Sequence, residues 1–185
     1  MKKRNKKIKN ATSVKKGGYK FRSKLELFTF NQLKASINGL KSFGLFQESF
    51  MPVTLHVDTG FNYDKIIYKQ TLMPLSASGE TIIFKNRFYG CSTTFSIDPK
   101  ELAAKGYNKR SSEHLNIYEN KPFDKMIHKE YLIHENIDNL KGMEVEMIYK
   151  WNLGDILIFD RSNLHCSSSN IVNKKIGFTT STSLK

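Results

Sequence analysis

Val145–His165 reads VEMIYKWNLGDILIFDRSNLH, and this stretch decides the fold. Its β-forming residues fall into two short runs, Val145–Trp151 and Asp155–Asp160, and Gly154-Asp155 marks a turn between them. The stretch around His165 and then Lys175–Ser183 (KIGFTTSTS) continue the pattern across Asn-rich turns. Upstream, Pro52–Asp58 (PVTLHVD) alternates, with Val53, Leu55 and Val57 on one face and Thr54, His56 and Asp58 on the other. Lys65–Leu75 (KIIYKQTLMPL) is rich in β-formers, Ser76–Gly79 makes a turn, and Thr81–Lys85 (TIIFK) is a further short strand. Many short strands around one long polar insertion predict a mainly β fold, a sandwich or barrel. That insertion covers residues 86–143, with a turn of helix near Pro99–Ala104 and another around 121–133. Before the strands, Leu25, Phe28, Leu33 and Ile37 predict one short helix over about 23–37, stopped by Asn38-Gly39. A loop through Ser42–Gln47 follows.

The chain has 185 residues, enough for one domain and too few for two ordinary ones. A domain of this size buries roughly 70% of its unfolded surface, so neither disulfides nor a structural metal is required. Two cysteines, Cys91 and Cys166, make no disulfide framework and point to a reducing, cytoplasmic setting. No stretch reaches the ~18 apolar residues of a membrane span. The net charge of +13 is unevenly placed: residues 1–24 hold eleven Lys or Arg and no Asp or Glu. Residues 25–185 are left with nineteen basic and seventeen acidic residues, close to neutrality. The expected organisation is a disordered basic arm over 1–18, a helix and connection over 19–49, and the β domain over 50–185.

His56-Val57-Asp58 puts an imidazole and a carboxylate on one strand face, about 7 Å apart at Cα. His165, just beyond a strand, is a third candidate ligand. Two imidazoles and one carboxylate, with the remaining positions open, form the facial triad of non-haem Fe(II) oxygenases. His114, His128 and His134 have no partner at metal-ligand spacing and read as surface histidines. Phe159 and Trp151 read as core, Asp155 and Asp160 as turn and strand-end residues, and Cys166 as a small buried residue facing away from His165.

His-x-Asp, a distal His after the Gly-Asp-(apolar)-Phe strand, and a Lys ten residues later occur in that order. In this the sequence resembles the Fe(II)- and 2-oxoglutarate-dependent dioxygenases of the phytanoyl-hydroxylase and prolyl-hydroxylase type, phage and marine metagenomic forms most of all. The resemblance runs from Val53 to Lys185 and implies a double-stranded β-helix, or jelly roll. It implies that His56, Asp58 and His165 hold Fe(II), and that a basic residue on the last strand binds the far carboxylate of 2-oxoglutarate. Lys175 fits that role by spacing; Lys174 is the alternative, since alternation sends the two to opposite faces and a one-residue slip exchanges them. Tyr68 and Gln70 on the strand after His-x-Asp, and Thr179 on the face of Lys175, are further candidates for contact with 2-oxoglutarate. The implied reaction oxidises an unidentified substrate, by hydroxylation, with release of succinate and CO₂.

The rival class is a catalytically silent jelly-roll or cupin-like binding protein, associated with nucleic acid or a virion. Eleven cations over residues 1–24 allow non-specific, salt-dependent contact with a polyanion. No convincing pair of an Asp with a later Glu-x-Lys on adjoining strands, as restriction-like nucleases need, is found, and the Arg pair that AlkB-like repair dioxygenases carry after the distal His is absent. Substrate choice is expected to lie in the 86–143 insertion, whose Arg87, Tyr89, Asn108, Arg110, Ser111, Ser112 and His114 are polar groups on an over-long connection.

Overall fold

Lys175–Leu184 (KIGFTTSTSL) becomes the strand around which one sheet is built, paired on both sides. The computed structural model describes residues 14–16, 19–21, 40–58, 67–89, 93–103, 107–109 and 121–184. The strands are β1 (Val14–Lys16), β2 (Tyr19–Phe21), β3 (Leu40–Ser49), β4 (His56–Val57), β5 (Ile67–Pro74), β6 (Glu80–Arg87), β7 (Thr93–Ser96), β8 (Tyr107–Lys109), β9 (Val145–Lys150), β10 (Leu157–Asp160), β11 (Asn163–Ser167) and β12 (Lys175–Leu184). Short helices α1 (Pro99–Leu102) and α2 (Lys125–Tyr131) and a 3₁₀ turn at Ile137–Leu140 lie between β7 and β9. The chain is therefore mainly β, as expected.

Two sheets carry the fold. One has the order β10-β5-β12-β3, and the other has the order β8-β7-β4-β11-β6-β9. Every pairing among the described residues is antiparallel except β7 with β8. Along β12, alternation sends Lys175, Gly177, Thr179 and Ser181 inward, toward the second sheet. Phe178 points the other way, is 1% exposed, and packs with Phe46, Met73 and Leu75.

The second sheet is apolar on both faces. On its outer side Leu55, Val57, Ile82, Phe84, Leu164 and Cys166 pack against Phe123, Leu132, Leu140 and Met143 from the insertion. On its inner side Ile83 meets Leu72, Leu157, Phe159 and Trp151. The helices of the insertion begin where the sequence offers caps: Asp124 accepts hydrogen bonds from Met126 and Ile127 N–H, and Asp98 precedes Pro99 and accepts from Lys100 N–H.

Three expectations change. The loop expected at Ser42–Gln47 is part of β3, which pairs with β12 over ten residues from Leu40↔Leu184 to Ser49↔Lys175. Gly44 and the serines hide the strand in the sequence, and the pairing partner lies more than a hundred residues away. The boundary at 49/50 therefore does not separate the connection from the β domain. The insertion is likewise less irregular than expected: β6 runs to Arg87, β7 and β8 extend the second sheet, and residues 121–143 cover its outer face. The strand expected over Pro52–Asp58 is short, since only His56 and Val57 pair. Of the expected arm, Val14–Lys16 are described and pair with Tyr19–Phe21. The rest of the arm and the helix expected over 23–37 lie outside the described residues. No helix among the described residues is long and apolar enough to cross a membrane.

Candidate metal centre

β4 and β11 pair so that His56 stands directly opposite His165. Directly opposed residues share a face, so both rings turn into the space between the sheets, with centroids 4.2 Å apart. Asp58 follows two residues after His56 and returns to the same side. Its Oδ1 lies 3.6 Å from His56 Nε2 and its Oδ2 lies 3.5 Å from His165 Nε2. One ligand atom from each residue falls within 4.8 Å of the others, and among the described residues this is the one such group of His, Cys, Asp and Glu side chains.

The protonation pattern follows from the partners. His56 Nδ1 is 2.7 Å from the Thr54 carbonyl and His165 Nδ1 is 3.1 Å from the Asn163 carbonyl. A carbonyl only accepts, so each Nδ1 carries a hydrogen, and each Nε2 is the ring atom turned toward Asp58. Burial pushes the His56 imidazole down to about 4, helped by His165 and opposed by Asp58. For Asp58, burial works to raise the carboxyl, but His165, His56 and Gln70 outweigh it and hold it below the usual carboxylate range. An ionised carboxylate oxygen and two imidazole Nε2 atoms thus converge. A cation is what such a donor set lacks, and imidazole with carboxylate suits a first-row divalent metal.

Neighbouring side chains fix these ligands. Asn163 is anchored by its amide to the Phe84 carbonyl and Glu146, at 2.6 and 2.9 Å, while Arg87 donates to its Oδ1 at 2.7 Å. The β11–β6 register shifts between Asn163 and His165, which re-aims the ring. Phe159 meets the His165 ring edge-on at 5.1 Å. Gln70 Nε2 donates to Asp58 Oδ2 at 2.7 Å, leaving Oδ1 the freer ligand atom. This contact crosses from one sheet to the other, and the sequence does not announce it. Gln70→Leu is expected to weaken Mn(II) binding roughly 10–100-fold, the usual cost of losing an outer hydrogen bond to a metal ligand, as isothermal titration would measure.

The centre opens into a pocket between the sheets. Lys175 lines it and is 3% exposed, whereas Lys174 points outward to Glu48 at 2.9 Å. The register therefore turns Lys175 inward. Its Nζ donates to the Glu80 carbonyl at 2.6 Å and to Thr81 Oγ1 at 3.4 Å, and it sits 4.1 Å from the centroid of the Trp151 ring. Burial pushes this amine down to about 7, against the pull of the Cys166 thiol and Glu80. Thr179 lines the same cavity, and Gln70 borders both it and the metal centre. Tyr68 is on β5, but its side chain lies outside the described residues.

Other residues fall differently from expectation. His128 and His134 are half-buried rather than on the surface. His128 Nε2–H donates to the Glu135 carbonyl at 2.9 Å, and His134 Nδ1 is 2.8 Å from Ser169 Oγ. Desolvation lowers His134 to about 4. The sequence hid this because the packing of α2 against the second sheet is not a periodic signal. His114, Arg110, Ser111 and Ser112 lie outside the described residues, as does the side chain of Asn108. Asp160 accepts from Lys69 and from Arg87, and Asp155 from Tyr149 Oη and Asn152, so both hold strands and turns together. Cys166 is 1% exposed within the outer core. No protein-family model matches this chain, and no curated protein does.

Proposed function

We propose that the protein is an Fe(II)- and 2-oxoglutarate-dependent oxygenase built on a jelly roll. The observation that carries this reading is the convergence of two imidazoles and one carboxylate beside a cavity that also holds a buried lysine. The strand order supports the fold assignment. Omitting the inserted β7 and β8, the eight strands from β3 onward form the sheets β10-β5-β12-β3 and β4-β11-β6-β9, and every successive pair except β6 and β9 lies in different sheets. Successive strands crossing from one sheet to the other is the pattern of a jelly roll.

His56, Asp58 and His165 would hold the metal, on the geometry given above. When bound, Fe(II) supplies the oxygen chemistry of the facial-triad enzymes, coupled to oxidation of 2-oxoglutarate to succinate and CO₂. The chain's own residues bind and orient. Lys175 presents a cation to a carboxylate remote from the metal, as a point charge on a flexible stem. Thr179 Oγ1, on the same face, offers a hydrogen bond to that carboxylate. Leu72, Trp151 and Phe159 give the cavity an apolar wall that keeps water from the reacting centre. The substrate is unidentified, and polyanion contact through residues 1–24 is an additional proposal carried by charge alone. The buried free thiol of Cys166 accords with work in a reducing cytoplasm.

Anaerobic titration of the protein with Fe(II) and 2-oxoglutarate tests the assignment. A visible charge-transfer band from the chelate is expected. If none forms, the protein is better read as a silent jelly-roll binding protein.

A further inference from the structure

Gly177 lies between Lys175 and Thr179 on the inward face of β12, where a side chain would enter the cavity. A Cβ placed on it would lie 2.6 Å from Trp151 Cη2, 3.1 Å from Cζ3 and 3.2 Å from Leu72 Cδ1. The indole occupies the volume that residue 177 leaves open. Its Nε1–H donates to Thr81 Oγ1 at 2.8 Å, the hydroxyl that Lys175 Nζ also approaches. Hydrogen bonding at one edge and the empty position at the other fix the plane of the ring. Its face then lies against the Lys175 ammonium. A lysine has four rotatable bonds, and the ring face limits them on the side that the hydrogen bonds to the Glu80 carbonyl and Thr81 Oγ1 leave open. The quadrupole of a desolvated indole is attractive to a cation, and more so than that of Tyr or Phe.

Resting on the oxygenase assignment above, we propose that Trp151 is the positioning residue that sets Lys175 for the second carboxylate of the co-substrate. The ring acts through Lys175: its N–H bonds Thr81 and its face meets the Lys175 ammonium, not His56, Asp58 or His165. It therefore controls selection between a 2-oxo dicarboxylate and a 2-oxo monocarboxylate, and leaves metal chelation alone. Gly177 belongs to the same device, because any larger residue pushes the ring off the ammonium.

The test compares 2-oxoglutarate with pyruvate, which chelates a metal through the same 2-oxo acid group but has no second carboxylate. Binding of each to the full chain loaded with Fe(II) is read anaerobically from the charge-transfer band. Trp151→Leu is expected to weaken 2-oxoglutarate roughly tenfold and to leave pyruvate unchanged. Trp151→Phe, which keeps an aromatic face, recovers most of the loss, and Gly177→Ala reproduces it. Equal losses for both acids, or none, would overturn the proposal. A measurement on the unaltered chain guards against variants that do not fold. Trp151 is its single tryptophan, so with Zn(II) in the site its emission should change on adding 2-oxoglutarate and not on adding pyruvate. Identical emission responses to both acids, or none, would also count against it. If the unaltered protein gives no band with either acid, the oxygenase assignment itself has failed; a band that Trp151→Leu leaves equally strong for 2-oxoglutarate sinks only the role of Trp151.

Discussion

Asp58→Ala is expected to abolish specific metal binding at the centre, with a loss well beyond the roughly 10–100-fold that an outer partner such as Gln70 controls. The reason lies in charge rather than in ligand count alone. Imidazole brings no negative charge to a metal, so Asp58 is the one anionic ligand of the three. Without it two imidazoles remain, 4.2 Å apart between centroids, with no carboxylate to offset the charge of a divalent ion. Asp58→Asn is the sharper variant, because it keeps size and one oxygen while removing the charge. Isothermal titration with Mn(II) should show no saturable site for Asp58→Ala and a greatly weakened one for Asp58→Asn. Should either variant bind Mn(II) as the unaltered protein does, the ion must be held elsewhere and the three residues are a hydrogen-bonded cluster only.

Most of this centre was legible because it depends on local rules. The alternation in Pro52–Asp58 puts His56 and Asp58 on one face, and the same rule in β12 separates Lys175 from Lys174. Choosing between the two lysines needed the register. That register comes from pairing with β3, a strand whose serines and Gly44 read as a loop. Local composition cannot reveal a strand that exists because a distant one templates it. Gln70 illustrates a second limit. Alternation turns it inward, which suggested contact with the co-substrate, yet it donates to Asp58 across the gap between the sheets. Trp151 illustrates a third: a large aromatic at a strand end is ordinarily core, and Trp151 is core at 6% exposure. Its relation to Lys175 depends on a missing side chain at Gly177, twenty-six residues later. The burial of His134 belongs with these, since it comes from an insertion folding back on the sheet.

Lys175→Met carries the other large expectation, and its pH dependence separates it from a packing effect. Removing one partner of a buried, hydrogen-bonded charge pair costs about 2–5 kcal/mol, which corresponds to some 30-fold to several thousand-fold in affinity for 2-oxoglutarate. Pyruvate, with no distal carboxylate, should bind Lys175→Met as it binds the unaltered protein. Burial lowers the Lys175 amine from 10.5 to about 7, while the Glu80 carboxylate and the Cys166 thiol pull upward. The groups facing it are the Glu80 carbonyl, Thr81 Oγ1 and the Trp151 ring, none of which titrates near neutrality. In the free protein the amine therefore loses its proton as pH rises through about 7. A bound dicarboxylate restores the charge, so binding above that pH takes up a proton. Affinity for 2-oxoglutarate should then fall with pH above about 7, toward a limit of tenfold per unit, and the fall should be absent in Lys175→Met. Folding has the opposite slope. The unfolded lysine binds the proton more tightly than the folded one, so its contribution to stability rises from about pH 7 to the ordinary lysine value of 10.5. Denaturant unfolding across that range should show the rise in the unaltered protein and lose it in Lys175→Met. Were 2-oxoglutarate to bind equally well to both proteins at every pH, the buried amine would be a structural oddity and the anchor would have to be sought on another strand.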